Sequence, residues 1–127
     1  MVPVAPEPPV PPTRRPAALG RAGEDRAAAW YEAAGFEVVE RNWRSRLGEL
    51  DLVCRKGRLL VFCEVKTRSS DRFGAAVEAV DARKRLRLRR LGALYLASCG
   101  ESHLDVRFDV VAADPAGRLV VVEDAFS

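Results

Sequence analysis

Asp51, Glu64 and Lys66 are the residues of this chain whose types and spacing best suit chemistry. Glu64 and Lys66 stand two apart in Val61-Phe-Cys-Glu-Val-Lys-Thr-Arg68, a run crowded with β-branched and aromatic residues that reads as a buried strand. Asp51 interrupts the preceding apolar run between Leu50 and Leu52, although aspartate is disfavoured in strand interiors. A Mg²⁺ or Mn²⁺ ion takes hard oxygen ligands, commonly one or two carboxylates completed by water and substrate phosphate. Asp51 and Glu64 would supply carboxylates, and the backbone carbonyl of Val65 a third oxygen. Such an ion polarises a phosphoryl oxygen and lowers the pKa of a bound water. Lys66 beside it would orient or help deprotonate that water and offset the charge building on phosphorus. These are the parts phosphodiester hydrolysis needs. A lone Glu-x-Lys would justify only a surface ion pair; Asp51 on the preceding strand is what shifts the reading.

A tight hairpin must bring these residues together. With Lys56 and Gly57 as its two turn residues, Arg55 pairs with Arg58, Glu49 faces Glu64, and Asp51 faces Phe62 diagonally from Glu64. Glu49, Asp51, Phe62, Glu64 and Lys66 then share one face, and Leu50, Leu52, Val61, Cys63 and Val65 the other. Like charges opposed across a sheet are destabilising, so a cation is expected among them, with Glu49 as a further candidate ligand. Around the hairpin, an Ala-rich helix is expected over Leu19 to Ala34, stopped by Gly35, and a strand over Phe36 to Arg44. Strands over 47–55 and 58–68 form the hairpin. A helical stretch from Ala75 to Ser98, broken near Asp81, precedes strands over Leu104 to Ala113 and Arg118 to Glu123. The expected order is α-β-β-β-α-β-β, an α/β fold with a central mixed sheet flanked by helices.

With 127 residues, 48% of them hydrophobic, the chain can bury one core, assigned here to residues 19–127. Residues 1–18 hold seven of the eight prolines and read as a disordered leader without the pattern of a secretory signal. No apolar run is long enough for a membrane-spanning helix. Cys54, Cys63 and Cys99 make an odd count without a CxxC pair, so they read as reduced core residues of a cytoplasmic protein. Net charge is only +3, yet six of the eight residues from Arg83 to Arg90 are basic. The rest of the chain carries 15 basic against 18 acidic residues, so the surplus sits in that segment. Arg83, Lys84, Arg85, Arg87, Arg89 and Arg90 are therefore candidate phosphate contacts, and Lys84, one turn from Val80, also a candidate to face the site. A merely solvated helix face is the competing explanation.

Asp51 followed by Glu64-Val-Lys66 resembles the PD-(D/E)XK pattern of the restriction-endonuclease-like nucleases, without the proline that often precedes the aspartate. Gly23-Glu-Asp, Arg41-Asn42, Gly48-Glu-Leu-Asp-Leu, Glu64-Val-Lys-Thr-Arg68 and Arg107-Phe-Asp-Val-Val111 more closely resemble the YraN-like family of small bacterial proteins. The resemblance implies a restriction-endonuclease-like core, Asp51 and Glu64 as metal ligands, and Lys66 as the residue assisting water. Related Holliday-junction resolvases place a glutamate on the first helix near the metal, which makes Glu24 a further candidate ligand. Otherwise Glu24 is a first-turn carboxylate favouring the helix dipole. Arg68 is a candidate phosphate contact, Asp109 is expected to be structural and His103 to lie on the surface. The implied activity is Mg²⁺- or Mn²⁺-dependent cleavage of structured DNA. The alternative is a nucleic-acid-binding module with little or no catalysis. The sequence leaves open DNA against RNA and whether a homodimer forms.

Overall fold

The computed structural model describes residues 17–67, 80–101 and 103–126. Helix α1 (Ala17–Ala33) leads into strands β1 (Glu37–Ser45), β2 (Gly48–Lys56) and β3 (Leu59–Thr67). Helix α2 (Ala82–Cys99) then precedes β4 (Asp105–Ala113) and β5 (Leu119–Phe126). The five strands form one sheet in the order β1-β2-β3-β4-β5. Only the β3–β4 pair is parallel, because α2 carries the chain back across the sheet before β4. The order and mixed sheet are those expected from the sequence and are consistent with a restriction-endonuclease-like core. The break expected near Asp81 is present: the helix that follows starts at Ala82, and Asp81 caps it by accepting the Lys84 N–H at 2.9 Å, whereas residues 75–79 of the expected stretch lie outside the described residues. Residues 68–79, and with them Arg68, lie outside the described residues, as does most of the proline-rich leader.

Among the described residues, each sheet face buries its apolar residues against one helix. Ala27, Ala28 and Tyr31 of α1 pack on Leu52, Cys54, Val61, Cys63 and Val111. On the other face, Leu88 and Leu91 of α2 pack with Leu50, Val53, Phe62, Phe108 and Val110. Tyr95 of α2 meets Trp43 and Phe62 edge-on. Two glycines let the helices sit close. A Cβ at Gly92 would come within 2.9 Å of the Phe62 ring. One at Gly23 would meet Thr67 Oγ1 at 3.1 Å and Ala113 Cβ at 3.3 Å, so Gly23 lets α1 settle over the ends of β3 and β4. Burying an aromatic or branched side chain here contributes about 1.5–3 kcal/mol before entropy. Cys54 and Cys63 lie in this core, whereas Cys99 is half-buried in the last turn of α2.

The hairpin register differs from the sequence expectation. Lys56 pairs with Leu59, so Gly57 and Arg58 form the turn, with Gly57 at φ +60°. Relative to the expected pairing, β3 slides two residues, and Leu52 faces Cys63. A slide of two preserves the faces but changes the partners. Asp51 is thus carried level with Glu64 instead of Phe62, and Glu49 is carried past Glu64. The faces are also not as expected at Leu50. It lies on the α2 side and Leu52 on the α1 side, so alternation breaks at Asp51. On the neighbouring strand Asn42 has φ +55°, a left-handed conformation that asparagine tolerates better than most residues.

Candidate metal centre in the fork of the sheet

The β2–β3 ladder stops at Leu52–Cys63. Beyond it β2 stays paired with β1 as far as Gly48, while β3 runs on beside β4 to Thr67. The two middle strands therefore part into a fork with Asp51 at its base. Asp51 Oδ2 accepts the Val65 N–H at 2.8 Å, closing the fork with a side chain where a ladder bond would otherwise stand. Asp51 stands close enough to Glu64 for the Glu64 charge to disfavour its ionisation, so the sequence-derived pair lies together in the fork.

Helix α1 brings a further carboxylate to the fork. Glu24 is buried, and its carboxylate, with those of Glu49 and Asp51, offers oxygens that all lie within 4.8 Å of one another. Because α1 begins at Ala17, Glu24 is two turns inside it, so the alternative of a first-turn carboxylate is overturned. Gly23 beside it is what brings this part of the helix down onto the sheet. Glu49 is half-buried and is held by Arg44, whose Nε lies 2.8 Å from Glu49 Oε2. Arg44 was not singled out from the sequence, although a turn at Arg46 and Leu47 ahead of Gly48 pairs Arg44 with Glu49 directly.

Glu64 continues the alternation from Phe62 and lies on the α2 side, only 6% exposed. Lys66 Nζ is 3.7 Å from its Oε1, and Lys84 Nζ, from the first turn of α2, 3.6 Å from its Oε2. Both distances exceed a hydrogen bond, and Glu64 Oε2 is buried with no hydrogen-bond donor. Burial first, then the adjacent Glu64 charge and the Glu24 charge, push Asp51 up to about 8, against the pull of the Val65 N–H.

This donor set fits a hard divalent cation. Every side-chain candidate ligand atom is a carboxylate oxygen, one of them is buried without a donor, and Asp51 is held against ionisation by burial and its neighbours. Asp51 would hold the ion together with Glu24, Glu49 and Glu64. Val65 meets Asp51 through its N–H, which leaves its carbonyl as a candidate oxygen.

The basic segment divides by direction. Arg83, Arg87, Arg89 and Arg90 are exposed. Arg83, Arg87 and Arg90 recur at spacings of four and three and so form one stripe. Arg87 lies against the start of β2, where a Cβ on Gly48 would be 3.5 Å from its Cδ. Arg85 is turned to the fold instead: its Nε donates to the Val80 carbonyl at 2.8 Å, and its guanidinium lies over the Phe126 ring. Asp109 is structural. Fully buried, it accepts hydrogen bonds from Tyr31 Oη, the Arg107 guanidinium and the Asp124 N–H. His103 is exposed, with its carbonyl accepting from Arg58.

Comparison with known proteins agrees with the family read from the five motifs. Residues 23–113 match the uncharacterised protein family UPF0102. A UPF0102 protein of Frankia casuarinae is 57% identical over 94 residues, covering 74% of this chain and 80% of its own. One of Moorella thermoacetica is 54% identical over 106 residues, 82% of this chain and 88% of its own. One of Symbiobacterium thermophilum is 46% identical over 112 residues, 85% and 95% of the two chains. The chain belongs to the UPF0102 family.

Proposed function

We propose that this protein is a Mg²⁺- or Mn²⁺-dependent nuclease that hydrolyses phosphodiester bonds of structured DNA. One observation carries the reading. In the fork, the Glu64 charge bears on Asp51 and Lys66 Nζ lies 3.7 Å from Glu64 Oε1, with the other Glu64 oxygen buried and undonated. An ordinary surface ion pair needs neither the second carboxylate nor its burial.

When bound, the metal would supply Lewis-acid polarisation of the phosphoryl group and of a water. Asp51, fixed by the Val65 N–H, would serve as a rigid ligand, and Glu24 and Glu49 would complete the carboxylate set from α1 and β2. Lys66 Nζ would orient the attacking water and offset negative charge on the phosphoryl oxygens. Arg83, Arg87 and Arg90, on the helix that also carries Lys84, would hold flanking backbone phosphates. Holliday-junction-like four-way DNA is the substrate proposed, on the resemblance to the junction resolvases.

The test is a cleavage assay of the purified chain on single-stranded, duplex, flapped and four-way DNA with Mg²⁺ or Mn²⁺. Metal-dependent product strongest on branched DNA, falling at least about 100-fold in Lys66→Ala, is expected. Binding without cutting across the panel would contradict the enzyme and leave a nucleic-acid-binding module.

A further inference from the structure

Lys84 differs from the rest of the basic segment. Its neighbours on the stripe are exposed, whereas Lys84 is half-buried with its Nζ 3.6 Å from Glu64 Oε2. Its backbone is pinned, because its N–H is the one that the Asp81 cap accepts. The side chain, by contrast, has a flexible four-carbon stem and three rotatable donors.

Glu64 is bracketed by two ammonium groups, Lys66 at one oxygen and Lys84 at the other, each by charge and neither by a hydrogen bond. A permanent structural partner would close to hydrogen-bond length, because a buried carboxylate oxygen without a donor is unfavourable. Lys84 stays back, and Oε2 stays undonated. This is how a charge is neutralised without its coordination site being filled.

We propose, resting on the metal-centre reading above, that Lys84 is a displaceable counter-ion. It neutralises Glu64 while the fork holds no divalent ion, and it turns to a substrate phosphate once the ion takes its place. Lys84 thereby competes with the metal for Glu64, and its release links metal binding to substrate binding. An arginine at this position would grip the carboxylate in two parallel bonds and be harder to displace.

The test compares the parent chain with Lys84→Met and Lys84→Arg at one pH. Free Mn²⁺ is titrated by electron paramagnetic resonance, and four-way DNA affinity is measured in Ca²⁺. Removing a competing positive charge at this range should tighten Mn²⁺ binding by about tenfold in Lys84→Met. The same variant should bind four-way DNA about tenfold more weakly, because one phosphate is no longer held. Lys84→Arg should bind Mn²⁺ no better than the parent. A merely supporting lysine predicts the opposite sign, with Lys84→Met losing Mn²⁺ affinity. Equal or weaker Mn²⁺ binding by Lys84→Met with a cooperative melt would overturn the proposal, as would weaker DNA binding without tighter Mn²⁺ binding. A parent that binds no Mn²⁺ would overturn the metal centre itself.

Discussion

At the scale of single residues, the site's repulsion is concentrated on Asp51. Burial and the Glu64 charge favour its protonated form, so its folded pKa of about 8 lies above the ordinary 3.8. The sign for stability follows by linkage. The stabilising protonation is fully present below pH 3.8 and is lost as pH rises through about 8, because the unfolded chain gives up that proton more readily. In chelator, the melting temperature of the parent should therefore fall between pH 5 and pH 8 relative to Asp51→Asn. The variant should be more stable than the parent at pH 8 by about 1–2 kcal/mol. Asparagine keeps an oxygen for the Val65 N–H, so the comparison isolates the charge. Parallel melting curves across this pH range would show that Asp51 is not under electrostatic strain. Asp51, Glu64 and Lys66 were legible in the sequence because each breaks a pattern: a carboxylate within an apolar strand has no cheap structural explanation. Arg44 was not, because an arginine near a turn breaks none.

At the scale of elements, the site depends on where a ladder ends. Strand order and type followed from alternation and turn residues, but Lys-Gly and Gly-Arg are equally acceptable turn pairs in Arg55-Lys-Gly-Arg58. Choosing between them shifts every cross-strand partner, and the two-residue difference turned Asp51 from a diagonal neighbour of Glu64 into a level one. The fork itself carries no local signal, since it arises from β2 following β1 while β3 follows β4. Helix α2 has two jobs that its sequence did not separate. Arg85 fastens the helix to Val80 and Phe126, whereas Arg83, Arg87 and Arg90 form the exposed stripe. Replacing these three by Gln should reduce the slope of log affinity against log salt for DNA by about 2–3, near 0.9 for each phosphate no longer neutralised. Arg85→Gln should instead lower the melting temperature and leave the slope within error. A triple variant with an unchanged slope would place the DNA surface elsewhere.

At the scale of the whole molecule, the two described helices and the mixed sheet bring the carboxylates of Glu24, Glu49 and Asp51 together from α1 and β2, with Glu64 of β3 near Asp51 and faced by lysines from β3 and α2. Among the described residues no helix is long and apolar enough to cross a membrane. Such a concentration of charge is tolerable in a marginally stable fold only if something offsets it. Lys66 and Lys84 do so in part, and a divalent ion would do so more fully. The most direct test is a crossed measurement at pH 8: thermal melts of the parent and of Asp51→Asn, each with chelator and with excess Mn²⁺. The parent should gain about 2–3 kcal/mol at a hundredfold excess of Mn²⁺ over its dissociation constant. Asp51→Asn should start higher in chelator and gain little or nothing from the metal. Equal gains in the two proteins would mean that Asp51 is not a ligand, and the fork would then be a strained polar junction with no metal to justify it.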